Sequence, residues 1–368
     1  MKIKCNQQSL MKSLNTVQKA ITTRTTIPIL KGILIETISD NQIRLAASDL
    51  DISIDRHCDA EVEQMGGIVV SSKLFADIIR KLPGGDIEIE EREGTVYIKC
   101  KSSEFTIVGQ GTEEFPDFSQ MEELDKFYIN KETFKKMIRR TSFAASVDTS
   151  RGILMGVLIE LSESHLTMVS LDGFRMAIAR NEIHSDKSIK IVVEARILNE
   201  INKILAEEEE EEFLLVLDQK KIAIHIGNVK IISRLLEGDY MNYQDIIPKE
   251  KNIIVRAERR ELLDAIERAS LIVKDGKSNL IKLKIEENKI IITSRSEEGN
   301  LREEVLIEKQ GEDLEIGFNC RYLSDILKAA EEDIVVMEFN NSITPCMVKP
   351  EEGNQFDYLI LPVRISSN

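Results

Sequence analysis

The sequence predicts an α+β protein built from three similar units of roughly 120 residues each. The most direct observation is a repeated segment. Residues 29–36, Ile-Leu-Lys-Gly-Ile-Leu-Ile-Glu, reappear as residues 153–160, Ile-Leu-Met-Gly-Val-Leu-Ile-Glu, and more weakly as residues 280–286. Length is the second observation, because 368 residues exceed one comfortable core and domains typically span about 100–150 residues. Three domains fit both observations.

The domain boundaries are predicted where the periodic pattern lapses. Residues 115–119 and 247–251 each contain a proline and lack both strand alternation and helical spacing. We therefore predict an N-terminal domain over residues 1–126, a central domain over residues 127–250 and a C-terminal domain over residues 251–368.

Each unit is predicted to contain two helices. Apolar residues at helical spacing mark the first helix of the three units: Leu10, Leu14, Val17 and Ile21; Phe134, Met137 and Ile138; Leu262, Leu263 and Ile266. The second helices are predicted over residues 73–82, 196–205 and 321–330. Ser72 and Asn319 are the predicted N-caps of two of them.

Strands are predicted to follow each second helix. In the first unit, residues 87–90 and 96–100 alternate between apolar and polar, and Glu93-Gly94 is expected to form the turn between them. Residues 222–226 and 335–339 are the comparable segments of the later units and are rich in β-branched residues. Antiparallel sheets with one solvated face are the natural interpretation.

The charges give conflicting signals about nucleic acid. A net charge of -15 argues against a simple DNA binder, because affinity for duplex DNA comes mostly from Lys and Arg that neutralise phosphates. A partner, however, meets only one face of a protein. The acidic run at residues 207–212 is predicted to be a solvated turn. Basic residues recur on the predicted helices: Lys12, Lys19, Lys73, Arg80, Lys81, Lys135, Lys136, Arg139, Arg140, Arg196, Lys203, Arg259, Arg260, Arg268, Arg321 and Lys328.

Two interpretations of these cations stay open from the sequence alone. They form either a positive helical surface on an acidic body or an ordinary solvated face.

The sequence offers no catalytic constellation. The four histidines, His57, His165, His184 and His225, lack metal-ligand spacing, and no phosphate-binding glycine loop occurs. Five scattered cysteines indicate neither a disulfide framework nor a zinc site and fit a reducing cytoplasm. We therefore expect no catalytic residue, no metal and no cofactor. Since no stretch of about 18 apolar residues occurs, we also expect no signal peptide and no membrane span.

Three segments resemble one protein family, the bacterial DNA sliding clamps, which are the beta subunits of DNA polymerase III. The segments are residues 26–30, Thr-Ile-Pro-Ile-Leu; residues 170–177, Ser-Leu-Asp-Gly-Phe-Arg-Met-Ala; and residues 358–365, Tyr-Leu-Ile-Leu-Pro-Val-Arg-Ile. The resemblance implies three clamp domains per chain and a ring of two chains joined head to tail. Helices would line the hole and antiparallel sheets would form the outer wall.

The resemblance also implies site residues. Arg24 matches a DNA-contacting loop position, and the helical cations Lys12, Lys73, Lys135, Arg139, Arg196 and Lys203 are further DNA-binding candidates. The partner cleft is implied at Leu154, Leu171, Gly173, Phe174, Arg175, Met176, Met241, Ile246, Leu359, Leu361, Pro362, Val363 and Arg364. Phe174 and Met241 depart from the family, which often has histidine and proline there. At the dimer interface, Phe105 and Ile107 are expected to meet Leu271 and Ile272.

The function implied is that of a processivity factor. Its expected partners are double-stranded DNA, a second copy of the chain, the replicative polymerase, the clamp loader, and repair and translesion proteins that bind through short peptide motifs. Two alternatives stay open: an interaction scaffold that does not bind DNA, and an enzyme with an unrecognised site.

Overall fold

The computed structural model of the chain describes residues 1–22, 25–117, 121–122, 125–183, 187–273 and 279–365. It divides into two compact units. Unit 1 comprises Met1–Phe134 with Glu200–Leu235, and unit 2 comprises Lys135–Asn199 with Leu236–Asn368. The central third of the sequence contributes to both units.

The first repeat begins with a strand and a helix, continues with a second group of strands and a second helix, and ends with three strands. Its elements are β1 (Lys2–Asn6), α1 (Gln7–Val17), β2 (Gly32–Ser39), β3 (Gln42–Ser48), β4 (Ile52–Asp59), β5 (Glu61–Gln64), β6 (Gly67–Ser71), α2 (Ser72–Lys81), β7 (Asp86–Arg92), β8 (Thr95–Cys100) and β9 (Ser103–Gln110).

The other two repeats follow the same order without an equivalent of β5 among their described residues. The second repeat consists of β10 (Asp125–Asn130), α3 (Lys131–Thr141), β11 (Gly156–Leu161), β12 (His165–Leu171), β13 (Arg175–Glu182), β14 (Ile189–Glu194), α4 (Ala195–Glu207), β15 (Glu212–Leu217), β16 (Lys221–Ile226) and β17 (Val229–Arg234). The third consists of β18 (Ile253–Glu258), α5 (Arg259–Val273), β19 (Leu280–Ile285), β20 (Lys289–Arg295), β21 (Asn300–Gln310), β22 (Leu314–Asn319), α6 (Cys320–Ala329), β23 (Ile334–Phe339), β24 (Cys346–Pro350) and β25 (Phe356–Ile360).

The strands of each unit form one continuous antiparallel sheet. In unit 1 the order of the described strands is β10-β15-β16-β17-β4-β3-β2-β6-β9-β8-β7-β1-β5, and in unit 2 it is β14-β11-β12-β13-β25-β24-β23-β18-β21-β20-β19-β22. Each sheet therefore crosses from one repeat into the next, through the β4–β17 ladder in unit 1 and the β13–β25 ladder in unit 2.

The helices cover one face of these sheets, because each has one apolar stripe. In unit 1, α1 packs on β3 and β4, and in unit 2, α5 packs on β20 and β21. The predicted second helices are confirmed to within two residues at each end, and the apolar residues that mark the first helices lie in α1, α3 and α5. Ile21 is the exception, because it lies beyond both α1 and the 3-10 turn Gln18–Ala20.

The helix caps were only partly predictable. Asn319 is confirmed as the N-cap of α6, since its Oδ1 accepts hydrogen bonds from the Arg321 and Tyr322 amides at 3.0 and 3.4 Å. The prediction for Ser72 was wrong: it is the first residue of α2, and its hydroxyl oxygen is 3.1 Å from Nε2 of Gln18. The serine side chain thus serves a contact with the end of α1.

The predicted strands are also confirmed. The Glu93-Gly94 turn joins β7 to β8, and both residues adopt positive φ angles, 50° and 77°. Such angles suit the primed turns of tight hairpins, in which glycine is favoured. Of the predicted boundary segments, residues 118–119 lie outside the described residues, and the described remainder contains no strand.

The prediction that residues 207–212 form a solvated turn was wrong at its centre. Glu208 is 7% exposed and forms an ion pair with Arg56 of β4, with Arg56 Nη1 2.5 Å from Glu208 Oε1. Lys131 Nζ donates to the Glu208 carbonyl at 2.6 Å, and Thr16 accepts from Arg56 at 3.0 Å. Glu208 therefore ties the end of α4 to the first repeat, which a run of identical acids did not reveal.

We predict that Glu208→Gln lowers the free energy of unfolding by about 3 kcal/mol, because it leaves the buried Arg56 charge without its counter-ion. Denaturant titration followed by circular dichroism measures this. Glu209→Gln is the matched control, since Glu209 is exposed in the same run. Equal unfolding midpoints for the two variants would contradict the assignment.

Candidate peptide-binding cleft and nucleic-acid interface

Six of the thirteen predicted cleft residues lie in one apolar cluster of unit 2. Met176 of β13 pairs with Leu359 of β25 in the sheet. One apolar cluster contains the buried residues Leu171, Met176 and Leu359 and, packed against it, the half-buried residues Leu154, Ile246 and Leu361. Side chains from distant parts of the sequence thus form an apolar cluster with a buried centre and a partly exposed margin.

A tight turn presents Phe174 at the surface of this cluster. Asp172 Oδ1 accepts hydrogen bonds from the amides of Phe174 and Arg175 at 2.9 and 3.0 Å. Gly173 has a φ of 91°, a conformation that strongly favours glycine. Phe174 is 51% exposed as a result. The turn fixes an aromatic ring toward solvent beside a buried apolar floor.

Arg175 forms side-chain hydrogen bonds with three separate parts of unit 2. Its Nε donates to Asp172 at 3.1 Å, its Nη1 donates to Asp325 of α6 at 2.6 Å, and its Nη2 donates to the Phe143 carbonyl at 2.7 Å. The guanidinium also lies over the Tyr322 ring, 4.4 Å from its centroid. Because all three nitrogens have acceptors, Arg175 links the turn at Asp172 to α6 and to the Phe143 carbonyl.

Phe174 and Tyr322 form an aromatic pair, which we call the aromatic shelf. The two rings stack with centroids 6.2 Å apart and planes 26° apart. The Leu361 amide donates to the Phe174 carbonyl at 2.9 Å, and the Val363 amide donates to the Gly317 carbonyl at 2.8 Å. The C-terminal segment with Pro362, Val363 and Arg364 is therefore fixed beside the shelf.

Met241 is the second departure from the family pattern, and it is 49% exposed. Like Phe174, it is an apolar side chain at the surface of unit 2. Both departures from the family pattern are therefore exposed side chains and not core residues.

Several residues of the cluster were missed by sequence reasoning. They are Ile153, Leu158, Val169, Ile178, Val192, Leu236, Tyr240, Tyr243, Ile247 and Met347. Tyr243 donates to Glu160 at 3.0 Å, and burial followed by the Glu160 charge raises the pKa of Tyr243. The two tyrosines after Gly238, in a segment with little other pattern, were an available signal. Tyr322 was hidden because it belongs to an ordinary amphipathic helix.

The predicted DNA-binding residues differ in how far the structure exposes them. Arg24 lies outside the described residues. Lys12, Lys73, Arg139, Arg196 and Lys203 are exposed on helices, and Lys135 is half-buried on α3.

Most of these exposed cations have an acidic neighbour. Arg139 lies 3.2 Å from Glu331, Arg196 lies 3.0 Å from Glu194, and Lys203 lies 2.8 Å from Glu200. Although burial acts in the opposite sense, hydrogen bonds from Lys136 and Arg139 hold the pKa of Glu331 below its ordinary value. Lys73 forms no ion pair among the described residues. The helical cations are thus partly compensated, a feature that composition could not show.

Comparison with known proteins identifies the family of the chain. Family models of the DNA polymerase III beta subunit match over residues 1–119 for the N-terminal domain, 128–242 for the central domain and 244–364 for the C-terminal domain. The chain belongs to the DNA polymerase III beta subunit family.

Relatives and solved structures agree along the whole length of this clamp. The beta sliding clamp of Bacillus subtilis is 33% identical over 99% of this chain and 100% of its own. A beta subunit structure from Eubacterium rectale is 34% identical, with a TM-score of 0.94 over 99% of this chain and 100% of its own. A Pseudomonas aeruginosa clamp bound to griselimycin is 26% identical, with a TM-score of 0.92 over 99% and 100%.

Membership confirms the predicted class: a sliding clamp with three clamp domains, the non-catalytic processivity subunit of DNA polymerase III. In the clamp's described residues, no cluster of His, Cys, Asp and Glu could hold a metal ion. All five cysteines are buried and unpaired, and burial raises the pKa of Cys5 to about 12. None of the clamp's described helices is long and apolar enough to cross a membrane.

The predicted interface residues of the clamp occupy two kinds of element. Phe105 and Ile107 lie on β9, with Phe105 39% exposed and Ile107 buried. Leu271 and Ile272 lie at the end of α5, with Leu271 69% exposed and Ile272 half-buried. Each pair thus places one apolar side chain in solvent.

We predict that Arg175→Lys destabilises the clamp by about 2 kcal/mol, because one ammonium nitrogen cannot span the acceptors now reached by three guanidinium nitrogens and cannot stack on Tyr322. Denaturant titration measures the change. Arg364→Lys is the matched control, since Arg364 is exposed on the neighbouring segment. If both variants unfold like the parent, the positioning role of Arg175 is wrong.

Proposed function

We propose that this clamp encircles duplex DNA as a ring-shaped, head-to-tail homodimer, slides without sequence specificity, and tethers its partners through the cleft. The partners are the replicative polymerase, the clamp loader, and repair and translesion proteins carrying short peptide motifs. The proposed domain boundaries are those predicted from the sequence, and the proposed location is the cytoplasm. One observation supports the ring. The two ladders that join successive repeats, which we call joints, have the same strand register, and the equivalent segments of β9 and β21 are paired on one side only.

The two joints use equivalent strands. In unit 1, residues 52–56 of β4 pair with residues 229–233 of β17, the last strand of the second repeat. In unit 2, residues 175–179 of β13 pair with residues 356–360 of β25, the last strand of the third repeat. The fourth strand of one repeat thus accepts the last strand of the next.

The registers of the two joints are the same. Each fourth strand follows a turn closed by one backbone hydrogen bond, whose acceptor carbonyl belongs to Ile52, Arg175 or Gly299 in the three repeats. Ile52 pairs with Ser233 and Arg175 pairs with Ile360. Gly299 is therefore the corresponding position in the third repeat, at the start of β21.

The remaining last strand is β9. Ser103 of β9 and Val229 of β17 each follow the two-residue turn of the last hairpin, so they are equivalent. The common register then sets Ser103 opposite Glu303, Phe105 opposite Leu301 and Ile107 opposite Gly299. β9 lies in unit 1 and β21 lies in unit 2. With two copies, β9 of each copy can pair with β21 of the other. Two chains of three repeats would close without exposed strand edges at the joints.

The side chains near these edges support the same joint. Residues 103–108 of β9 pair with β8 on one side, and residues 300–306 of β21 pair with β20. A Cβ on Gly299 would lie 4.0 Å from Cδ1 of Ile272. Ile107 opposite Gly299 would therefore approach Ile272, in agreement with the apolar contact implied by the family resemblance.

Topology would provide retention on DNA, so the phosphate contacts can be weak. Exposed helical cations make sequence-independent, salt-sensitive contacts, whereas base-edge hydrogen bonds would add a barrier at each step. Partial compensation of Arg139, Arg196 and Lys203 by acids lowers the affinity further and suits sliding. An interaction scaffold without DNA is the competing function, which these same ion pairs would favour.

The cleft suits a short extended peptide. A buried floor of Leu171, Met176 and Leu359 can take an apolar anchor, and the aromatic shelf can stack on a second side chain. Support comes from the Pseudomonas aeruginosa clamp, whose structure is of a complex with griselimycin.

Retention on DNA tests the function directly. We expect the clamp, once loaded on a nicked circular plasmid, to remain bound after dilution into 0.5 M salt. At this salt concentration the Debye length is about 4 Å, so phosphate contacts are screened. After the plasmid is cut with a restriction enzyme, the clamp should no longer elute with the DNA in gel filtration. Equal retention on both forms would reject topological binding, and no loading at all would favour the scaffold.

Disulfide trapping tests the register. Directly opposed antiparallel residues have Cβ atoms about 4.5–5.5 Å apart, close enough for a disulfide after small adjustment. A chain carrying Phe105→Cys and Leu301→Cys should therefore form a cross-linked dimer under mild oxidation, seen on a denaturing gel. The control pairs Phe105→Cys with Glu303→Cys, two residues out of register. Equal yields from both chains would refute the proposed ladder.

Partner binding tests the cleft. Met176→Lys is unsuitable because it would bury a charge in the floor, so we choose the half-buried Leu361. Leu361→Lys should reduce stimulation of the polymerase at least about tenfold, the loss expected of one apolar hot spot. Met65→Lys, a matched change at an exposed methionine of unit 1, should leave stimulation unchanged. Full stimulation by the Leu361 variant would disprove the site.

A further inference from the structure

The joint in unit 1 is clasped by charges on its helical side. Lys12 of α1 lies 3.9 Å from Glu208, and Lys19, just beyond α1, lies 2.8 Å from Glu207 at the end of α4. Arg56 adds the buried ion pair with Glu208. The first repeat therefore contributes cations to this joint, and the end of the second helix in the next repeat contributes acids.

The joint in unit 2 has the same polarity. Lys136 and Arg139 of α3 lie 3.1 and 3.2 Å from Glu331, and Arg140 lies 2.8 Å from Glu332. Both acids follow the end of α6. A basic first helix and an acidic segment after the second helix thus recur at both joints within the chain.

We term the segment that connects the second helix of a repeat to the following strand its tail linker. The tail linker of the second repeat is residues 208–211, Glu-Glu-Glu-Glu, and that of the third repeat is residues 330–333, Ala-Glu-Glu-Asp. The tail linker of the first repeat is residues 82–85, Leu-Pro-Gly-Gly, directly after Arg80 and Lys81. It contains no acid and follows two cations.

The first helix of the third repeat carries acids at positions where first helices of the other repeats carry cations. The sixth residue is Lys12 in α1 and Lys136 in α3, but Asp264 in α5. The ninth residue is Arg139 in α3, but Glu267 in α5. The strand position held by Arg56 is held by Glu303 in the proposed common register. We call the open β21 edge with α5 the head, and the open β9 edge with the first tail linker the tail. Both therefore carry charges opposite to those at the two joints within the chain.

We propose that the open tail linker of one copy docks against the first helix of the third repeat in a second copy, with a polarity opposite to that of the two joints within the chain. Arg80 and Lys81 face Asp264 and Glu267 in this contact. The proposal rests on the proposed head-to-tail dimer and adds the helical half of its interface. Its occupant is a second copy of this chain, because charge and strand edge are complementary at the same ends.

Charges within each end are consistent with this assignment. Arg80 is shared with Asp77 at 2.8 Å, Glu267 with Lys328 at 2.7 Å and Glu303 with Arg268, whereas Asp264 and Lys81 belong to no ion pair among the described residues. Both are exposed helical residues. Reversed polarity also prevents the third repeat from capturing an acidic tail linker of another repeat while the chain folds, because acids would face acids.

The test converts the closing contact into a copy of the unit 2 joint. The head variant, Asp264→Lys with Glu267→Arg, reproduces Lys136 and Arg139, and Arg268 already stands where α3 has Arg140. The tail variant, Pro83→Glu with Gly84→Glu, reproduces Glu331 and Glu332. A Cβ at Gly84 meets nothing within 4 Å, so the substitution fits. Glu352→Lys, on an exposed turn, controls for net charge.

Dimer dissociation constants from sedimentation at low salt decide the matter. The head variant and the tail variant should each weaken the dimer at least about tenfold, since each sets like charges against one another. The combined variant should return to within about threefold of the parent. Circular dichroism confirms that each variant is folded.

Two failures are distinguishable. A parent dimer that neither variant weakens, or a combined variant weaker than both, overturns the reversed contact and leaves the ring intact. A parent that is monomeric at micromolar concentration overturns the proposed ring itself, and the reversed contact with it.

Discussion

The antiparallel ladders that cross from one repeat into the next are the interaction on which the rest of the structure depends. The β4–β17 and β13–β25 ladders make each compact unit one continuous sheet and fix the repeats it contains in register. They also bring the cleft together, because β25 aligns Leu359 with Met176 and carries the chain on to Leu361 beside Phe174. A strand slip of one residue would turn these side chains to the other face.

Much of the fold could be predicted because the determining patterns are local. Helical spacing located α1 to α6, and alternation located β7 and β8, each from a few consecutive residues. The role of Glu208 could not be predicted, since its burial depends on Arg56, far away in the sequence, and five neighbouring glutamates look identical. Ser72 failed for a similar reason, because its hydroxyl serves a contact with Gln18.

The cleft illustrates the same division. Short motifs resembling a known family identified Leu171, Met176 and Leu361, which the structure places in one cluster. The motifs did not reveal that Arg175 donates hydrogen bonds to Asp172, Asp325 and the Phe143 carbonyl. They also did not reveal that Tyr322 stacks on Phe174. Those contacts arise from packing between β13 and α6, which no spacing within either element encodes.

The central claim is that one open head and one open tail close a ring of two chains. Sedimentation velocity over a range of micromolar concentrations measures the assembly directly. The account predicts a single species of twice the chain mass of 41.8 kDa. A strictly monomeric protein, or a ladder of growing oligomers that shows a joint unable to close, would contradict it.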